Sequence, residues 1–565
     1  TFTRASTATY YDGVTNAVAE QNLLTYSQVI GGTNWSSSSS TPTTNNATAP
    51  DGTTTASLLT TVAATAAHYV SQTFTTAISQ VITASFYAKA GTNNYIQFAA
   101  GADLPVANFD LSAGTVGTTT SVTSATIISV GSSWYRCVVT YTAAIASTSV
   151  VISLVPSSSA TRIQSWAAAG TETIFLWGAQ LEQRSAVTAY TPTTTAAITN
   201  YIPVLQTAAS GVARLDYNPT TGESLGLLIE ESRVNLLTYS DQFDNAGWAK
   251  GNGTVTANAI VSPDGTLTGE RFVSSASTAG TYIQQVFTST AQAYTGTFYV
   301  KYAGAQFVQM LWSGAQSTNY ANFDLVNGTV GTTTATSSSI ISVGNSWYRI
   351  SIVSTLAASA GAFNLYCIPA STSARATSYV GDGFSGIFVW GAQLEAGAFA
   401  TSYIPTVASQ VTRAADAASM TGTNFSSWFN IAAGSLYAEY QYNWINTANT
   451  TGKVVSFTPV VVGSYAAINA IGGASTGWFA SGVAVGSAVS GSLTKQDISY
   501  TSPNTFSASL NGGAVASSTA SDFRGTSTSL SIGMRNSDQF INGTIKRITY
   551  YPVALTALQL QTLTT

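Results

Sequence analysis

The sequence predicts an all-β protein: tandem antiparallel β-sandwiches joined into a stiff, elongated rod. Composition, local patterning and an internal repeat lead to that reading. Of 565 residues, 7% are charged, 45% hydrophobic and 11% aromatic. A soluble chain usually carries about 25% charge. Disorder needs low hydrophobicity together with high net charge, so a chain this apolar folds. Its polar surface has to come from Ser, Thr, Asn and Gln.

The local pattern is that of strands. Stretches such as Val81-Ile82-Thr83-Ala84-Ser85-Phe86-Tyr87-Ala88 and Leu436-Tyr437-Ala438-Glu439-Tyr440 are short and rich in aromatic and β-branched residues. Clusters of Gly, Asn, Asp or Ser bound them, the strand-and-turn signature. Helical periodicity is convincing only over Leu555–Leu563. A parallel sheet needs helical crossovers, which leaves antiparallel sandwiches.

The repeat sets the organisation. Asn22-Leu23-Leu24-Thr25-Tyr26-Ser27 returns as Asn235-Leu236-Leu237-Thr238-Tyr239-Ser240, an offset of 213 (235 minus 22). Pro50-Asp51-Gly52-Thr53 returns as Pro263-Asp264-Gly265-Thr266, and Asn108-Phe109-Asp110-Leu111 as Asn322-Phe323-Asp324-Leu325. Trp134-Tyr135-Arg136 matches Trp347-Tyr348-Arg349, and Trp177-Gly178-Ala179-Gln180-Leu181-Glu182 matches Trp390-Gly391-Ala392-Gln393-Leu394-Glu395. These spans are too long for solenoid repeats and read as two whole domains, 22–193 and 235–406. Residues 1–21 are N-terminal strands, 194–234 are connecting strands expected to pair with them, and 407–565 form a last sandwich. No linker is long enough for the domains to tumble freely, hence the rod.

Charge and motif content exclude much chemistry. With 19 basic against 23 acidic residues and net charge −4, no basic stripe can neutralise phosphates, so nucleic acid is not a partner. No window approaches the roughly 18 apolar residues of a transmembrane helix, and no membrane insertion is expected. Cys137 and Cys367 align with Ile350 and Leu154, not with each other, which removes a shared disulfide or metal role. Both read as small buried hydrophobes. One histidine, His68, cannot furnish a Ser/His/Asp constellation in both repeats. The recurring Asp51/Asp264 and Asp110/Asp324 sit in turn-like sequence, where Asp is a turn former. No Gly-rich phosphate loop, His-Glu-x-x-His or Cys-x-x-Cys is present, so no cofactor and no enzymatic activity are expected. A metal centre is not predicted either. The residues nearest to a calcium ligand set are Asp241, Asp244 and Glu395, and Gln28 stands where the first repeat would need its counterpart of Asp241.

The ordered motifs Asn-Leu-Leu-Thr-Tyr-Ser, Gly247-Trp248, Pro-Asp-Gly-Thr, Phe298–Lys301, Trp-Tyr-Arg and Trp-Gly-Ala-Gln-Leu-Glu resemble modules of bacteriophage fibre and minor structural proteins. Those modules look like the carbohydrate-binding jelly rolls appended to bacterial glycanases. The segment Gly543-Thr544-Ile545-Lys546-Arg547-Ile548 with its terminal helix is similar to concanavalin A/laminin G-like sandwiches. The resemblance implies a virion fibre protein of tail or head, exposed on the particle, homotrimeric, and in contact with other virion proteins. It also implies that 22–193 is an insertion between strands that still pair, because Arg4–Tyr10 and Arg214–Pro219 are nearly contiguous in related fibres.

Aromatic side chains are the remaining functional resource, since sugars stack their C–H faces on rings while neutral polar groups bind their hydroxyls. Strand alternation puts Tyr87 and Lys89 on one face and Phe86 on the other, with Tyr299 and Lys301 as the second repeat's equivalents. Tyr95, Trp312 and Tyr320 lie in similarly polar stretches. For each, packing in a core or between domains competes with ligand stacking. Trp35/Trp248, Trp134/Trp347 and Trp177/Trp390 are assigned to the core. Two functions follow from these residues: adsorption to host surface polysaccharide, or a purely structural capsid-decorating or tail-connecting spike. A secreted glycanase's binding appendage is a third, weakened because no catalytic domain fits in the chain.

Overall fold

The computed structural model describes residues 1–565 apart from 103, 443–451, 459–466, 471–490, 502–504, 520–526 and 536–538. Regular structure is almost entirely antiparallel strand, with helices at Thr423–Ser426 and Ala557–Thr564. The all-β class and the antiparallel sandwiches read from the sequence are observed. No helix among the described residues is long and apolar enough to cross a membrane. Two compact units are present: Val18–Tyr201 with Asn258–Ser262, and Thr1–Ala17 with Ile202–Ala257 and Pro263–Thr565.

The first of these units holds the first repeat as two six-stranded sheets. One runs in the order Thr115–Thr120, Val106–Asp110, Tyr95–Ala100, Ser147–Leu154, His68–Thr75, Ser36–Ser38. The other runs Ser124–Gly131, Trp134–Thr142, Val81–Ala90, Thr173–Glu182, Ala56–Thr61, Ser40–Ala47. Alternation turns Val70, Ile96, Phe98 and Ile152 of one sheet against Ile82, Phe86, Val139 and Leu181 of the other, all fully enclosed. Each such side chain contributes roughly 1.5–3 kcal/mol, so this shared interior holds the sandwich together. Cys137 belongs to it, and burial pushes its thiol well up from the ordinary range. His68 is enclosed too, its Nδ1 2.5 Å from Ser39 O and its ring edge-on to Trp166 at 5.3 Å.

The second repeat, in the other unit, repeats this plan with sheets centred on Thr281–Ser289, Ser359–Ile368 and Phe307–Trp312, and on Gly386–Ala396, Gln292–Ala303 and Trp347–Leu356. The Trp-Gly-Ala-Gln-Leu-Glu motif now has a structural reason. Pairing of its strand slips between Trp177 and Gln180, with Gly178 in the left-handed region at φ 62°, and a Cβ there would stand 2.8 Å from the Tyr87 ring. Gly391 is its equal, at φ 59° and 2.8 Å from Tyr299. Only glycine satisfies both the bulge and the close approach. Past the bulge, Gln180 Oε1 accepts Thr191 N at 2.6 Å, and Gln393 Oε1 accepts Ile404 N at 2.6 Å.

The C-terminal sandwich draws on more than 407–565. Its seven-stranded sheet begins with Leu215–Tyr217 and Ser224–Ile229, and its five-stranded sheet begins with Phe2–Thr3. Ala8–Asn22 and Ile198–Ala208 pair as a two-stranded ribbon. Segments far apart in sequence meet because their charges are buried together. Arg4 Nη1 lies 3.1 Å from Asp416 Oδ1, Arg214 Nη2 lies 2.5 Å from Asp416 Oδ2 and 2.8 Å from Glu230 Oε2, and Arg413 Nε lies 3.7 Å from Glu230. Backbone carbonyls take the spare donors: Arg4 reaches Ala209 O at 2.8 Å, Arg214 reaches Thr9 O at 3.0 Å, and Arg413 reaches Glu231 O at 2.6 Å. Burial alone would raise Glu230, but Arg413 and Arg214 with the Ser402 hydrogen bonds hold its carboxyl down at about 2. Removing one partner from a buried pair costs about 3–5 kcal/mol, because the other charge is left uncompensated. Asp416→Ala should therefore lower unfolding free energy by about that amount in urea titration. A loss under about 1 kcal/mol would show that the cluster does not hold these segments together.

Candidate functional site

The residues singled out as sugar-stacking candidates do not form one surface. Tyr299 is 2% exposed, edge-on to Trp390 at 5.2 Å, with the Arg349 guanidinium 5.5 Å over its ring. Lys301 and Trp312 are also buried. These three positions are corrections to the expected exposed face. Trp312 stacks on Phe363 at 4.8 Å, and Phe363 on Phe298 at 5.1 Å, because its strand turns Met310 and Trp312 into the sandwich core while Gln309 and Leu311, also buried, take the other face of the sheet. Tyr87 and Lys89 are half-buried; Tyr87 packs on Trp177 at 5.1 Å and under Arg136 at 5.3 Å. Tyr95 and Tyr320 are half-buried at the starts of their strands.

The carboxylates named for calcium are likewise apart in role. Glu395 is enclosed and accepts both Thr401 N and Thr401 Oγ1, at 3.1 and 2.6 Å, as Glu182 accepts Thr188 N at 3.0 Å. Among the described residues no group of three or more His, Cys, Asp or Glu is placed to hold a metal ion. Asp244 instead neighbours Glu270, whose Oε2 accepts Asp244 N at 2.9 Å, while Lys250 Nζ donates to Asp244 O at 2.8 Å. Burial, and then the Asp244 charge, push Glu270 up to about 8. The first repeat has Ser57 and Gly31 at the corresponding positions, so its sandwich forms without this pair.

An open trough does exist, on the outer face of the second repeat's other sheet. It encloses about 570 Å³ and is lined by Gln284, Val286, Thr288, Ser313 and the small residues Ala360–Ala362. Strand alternation builds it: Ile283 and Gln285 turn inward, whereas Tyr282, Gln284, Val286 and Thr288 turn outward. Across the ladder these oppose Tyr366, Asn364, Ala362 and Ala360. Tyr282 and Tyr366 stack at 4.8 Å and 27°, each half-buried. Asn364 donates Nδ2 to Ala362 O at 2.9 Å, and its Oδ1 has no partner. Arg375 reaches over from the following loop to the Trp312 carbonyl. The Gln284 amide, the Thr288 and Ser313 hydroxyls and a floor of small side chains, with the Tyr282–Tyr366 rings beside them, give a surface suited to a polar, hydroxyl-rich ligand.

Sequence reasoning did not pick Tyr282, Gln284 or Tyr366. The available signal was the alternation in Thr281–Ser289 together with the repeat alignment. Tyr69 and Ser153 occupy the equivalent pair in the first repeat, and Ser71 and Val151 replace Gln284 and Asn364. The paired tyrosines thus distinguish the second repeat.

The chain matches no protein-family model and no curated protein. Among solved structures it is similar to the N-terminal CBM22-1–CBM22-2 tandem domain of Xyn10C from Paenibacillus barcinonensis, at 13% identity and a TM-score of 0.20, over 67% of this chain and 99% of that one.

The carboxylate pair makes a pH prediction. Glu270 is raised from 4.5 to about 8 on folding. Its linked stability is therefore complete below about 4.5 and is lost as pH rises through 8. Wild type should lose thermal stability relative to Glu270→Gln as pH rises from about 5 to about 8, and level off above that. Parallel melting curves over that range would contradict the assignment.

Proposed function

We propose that this protein is a homotrimeric virion fibre component that contributes to host adsorption by binding surface glycan, without catalysing a reaction. The observation that carries the binding reading is the trough beside the stacked Tyr282–Tyr366 pair on the second repeat. A sugar ring lies flat on an aromatic face, and Gln284 and Ser313 line the adjoining floor to meet its hydroxyls. The virion setting rests on the resemblance of the sequence motifs to phage fibre modules. Low charge supports contact by stacking and neutral hydrogen bonds, which salt screens little, unlike exposed charge attraction beyond a Debye length of about 8 Å. Three copies of a weak site in one trimer gain avidity through linkage.

The structural-spike reading has its own support, since Tyr299, Trp312 and the recurring tryptophans Trp177 and Trp390 serve internal packing. The two readings separate in one experiment. Affinity electrophoresis of the full chain through host surface polysaccharide should show retardation, nearly unchanged from low salt to about 0.5 M. Tyr282→Ala with Tyr366→Ala should weaken it at least ten-fold, about 1.4 kcal/mol, and Tyr87→Ala should not. Retardation that is absent in wild type at every salt favours the spike; light scattering near the 58.4 kDa chain mass would remove the trimer.

A further inference from the structure

The two repeats treat one surface differently. In the second repeat, the turns at Pro263–Gly265 and at Gly344 lie under residues of the ribbon. Leu205 N donates to Pro263 O at 2.7 Å. A Cβ at Gly265 would stand 2.9 Å from Val204 and 3.1 Å from Ala17, and one at Gly344 would stand 2.6 Å from Pro203. Thr9 Oγ1 donates to Tyr403 O at 2.7 Å. Pro263 and Tyr299 are buried beneath this cover. All these residues belong to one compact unit.

At the corresponding turns of the first repeat no described residue takes the ribbon's place, while beside Tyr190 the Ala189 N donates to Ala259 O at 2.6 Å. Gly52 and Gly131 correspond to Gly265 and Gly344 at the offset of 213, and a side chain at either would meet no atom within 4 Å. Pro50 and Tyr87 are half-buried where their counterparts are buried, and Asp51–Thr54 is exposed. The supporting frame is nevertheless retained. Trp177 meets Tyr190 at 4.7 Å as Trp390 meets Tyr403 at 4.7 Å, and Arg136 lies over Tyr87 as Arg349 lies over Tyr299. Left-handed backbone at these turns is open to Asn as well as glycine. Glycine in particular admits a second backbone at close range, as the second repeat shows.

We propose that this face of the first repeat is a docking surface for an extended two-stranded ribbon of another protein. The covered repeat specifies the occupant's chemistry: a Pro–Val corner and an alanine seated over Gly131 and Gly52, a backbone N–H for Pro50 O, and a hydroxyl for Tyr190 O. Residues 17 and 203–205 of the ribbon already lie on the second repeat, so the occupant proposed for the first repeat is a different ribbon, carried by another protein.

The probe is a labelled cyclic hairpin carrying residues 9–17 joined through Asn-Gly to residues 202–208, titrated into the full-length protein. Saturable micromolar binding is expected, weakened at least ten-fold by Gly52→Asn with Gly131→Asn. Those changes keep the left-handed backbone but place a Cβ where the ribbon must lie. A hairpin with Pro203→Asp and Val204→Asp should not bind wild type, a comparison that stands even if the double variant unfolds. No binding up to about 1 mM, or binding that the double variant leaves intact, overturns the proposal. Self-association of the chain that the double variant abolishes would assign the surface to a second copy, and also overturns it.

Discussion

The buried ion cluster is the constraint on which one whole unit depends. Arg4, Arg214 and Arg413 surround Asp416 and Glu230, and all five side chains are at most 7% exposed. They come from three stretches separated by hundreds of residues, and in a chain with 42 charged side chains (19 basic and 23 acidic) they take an outsized share. A buried pair contributes little net stability against an apolar alternative, since desolvation offsets attraction. What it imposes is register. An arginine that missed its carboxylate would be stranded without water, so the N-terminal strand, the 214–230 segment and the 413–416 corner must arrive together. That explains how a short strand such as Phe2–Thr3 finds its place in the C-terminal sheet, pairing with Ala417 and Ala418.

Elsewhere the same task falls to neutral groups. Asn22 Nδ2 bridges Ala179 O and Thr191 O at 2.9 Å each, and Asn235 Nδ2 bridges Ala392 O and Ile404 O at 3.0 and 2.8 Å. Gln72 and Gln285 close the Thr25 and Thr238 turns in the same fashion, at 2.7 and 2.8 Å. Each amide satisfies donors and acceptors that a sandwich edge would otherwise leave unpaired. A chain this poor in charge can thus hold long edges together without salt-sensitive contacts.

This division explains what was legible in the sequence. Strands, sandwiches and the repeat could be read because period-two alternation and turn residues are local signals. The motif residues that mark the repeat turned out to be its clamps: Asn22, Gln180, Glu182 and Gly178 recur because the backbone requires them. Their recurrence pointed attention to Tyr87 and Tyr299, and the fold explains both as neighbours of the glycine bulge. The trough on the second repeat was hidden for the opposite reason. Gln284 and Tyr366 differ from their counterparts Ser71 and Ser153, and Tyr282, which recurs as Tyr69, lies outside the repeated motifs, so no recurrence announced the group. Asp416 and Glu230 were hidden too, because a buried ion network has no local sequence period.

Recurrence and difference between the repeats therefore carry different information. Positions identical in both report what the sandwich demands, since two copies under separate surroundings retained the same side chain. Positions that differ, on a face where alternation exposes them, are free of that demand. The outer face around Tyr366 meets this condition: replacing it by Ser153, as the first repeat does, leaves the ladder pairing of Ser153 with Tyr69 and Gln97 intact. A stacked tyrosine pair there is not needed to fold, and two half-exposed rings on a surface gain less from burial than enclosed ones do. What such rings offer is a flat apolar face with hydroxyl groups at its rim. That combination favours a ligand that is itself apolar on one face and hydroxylated at its edge.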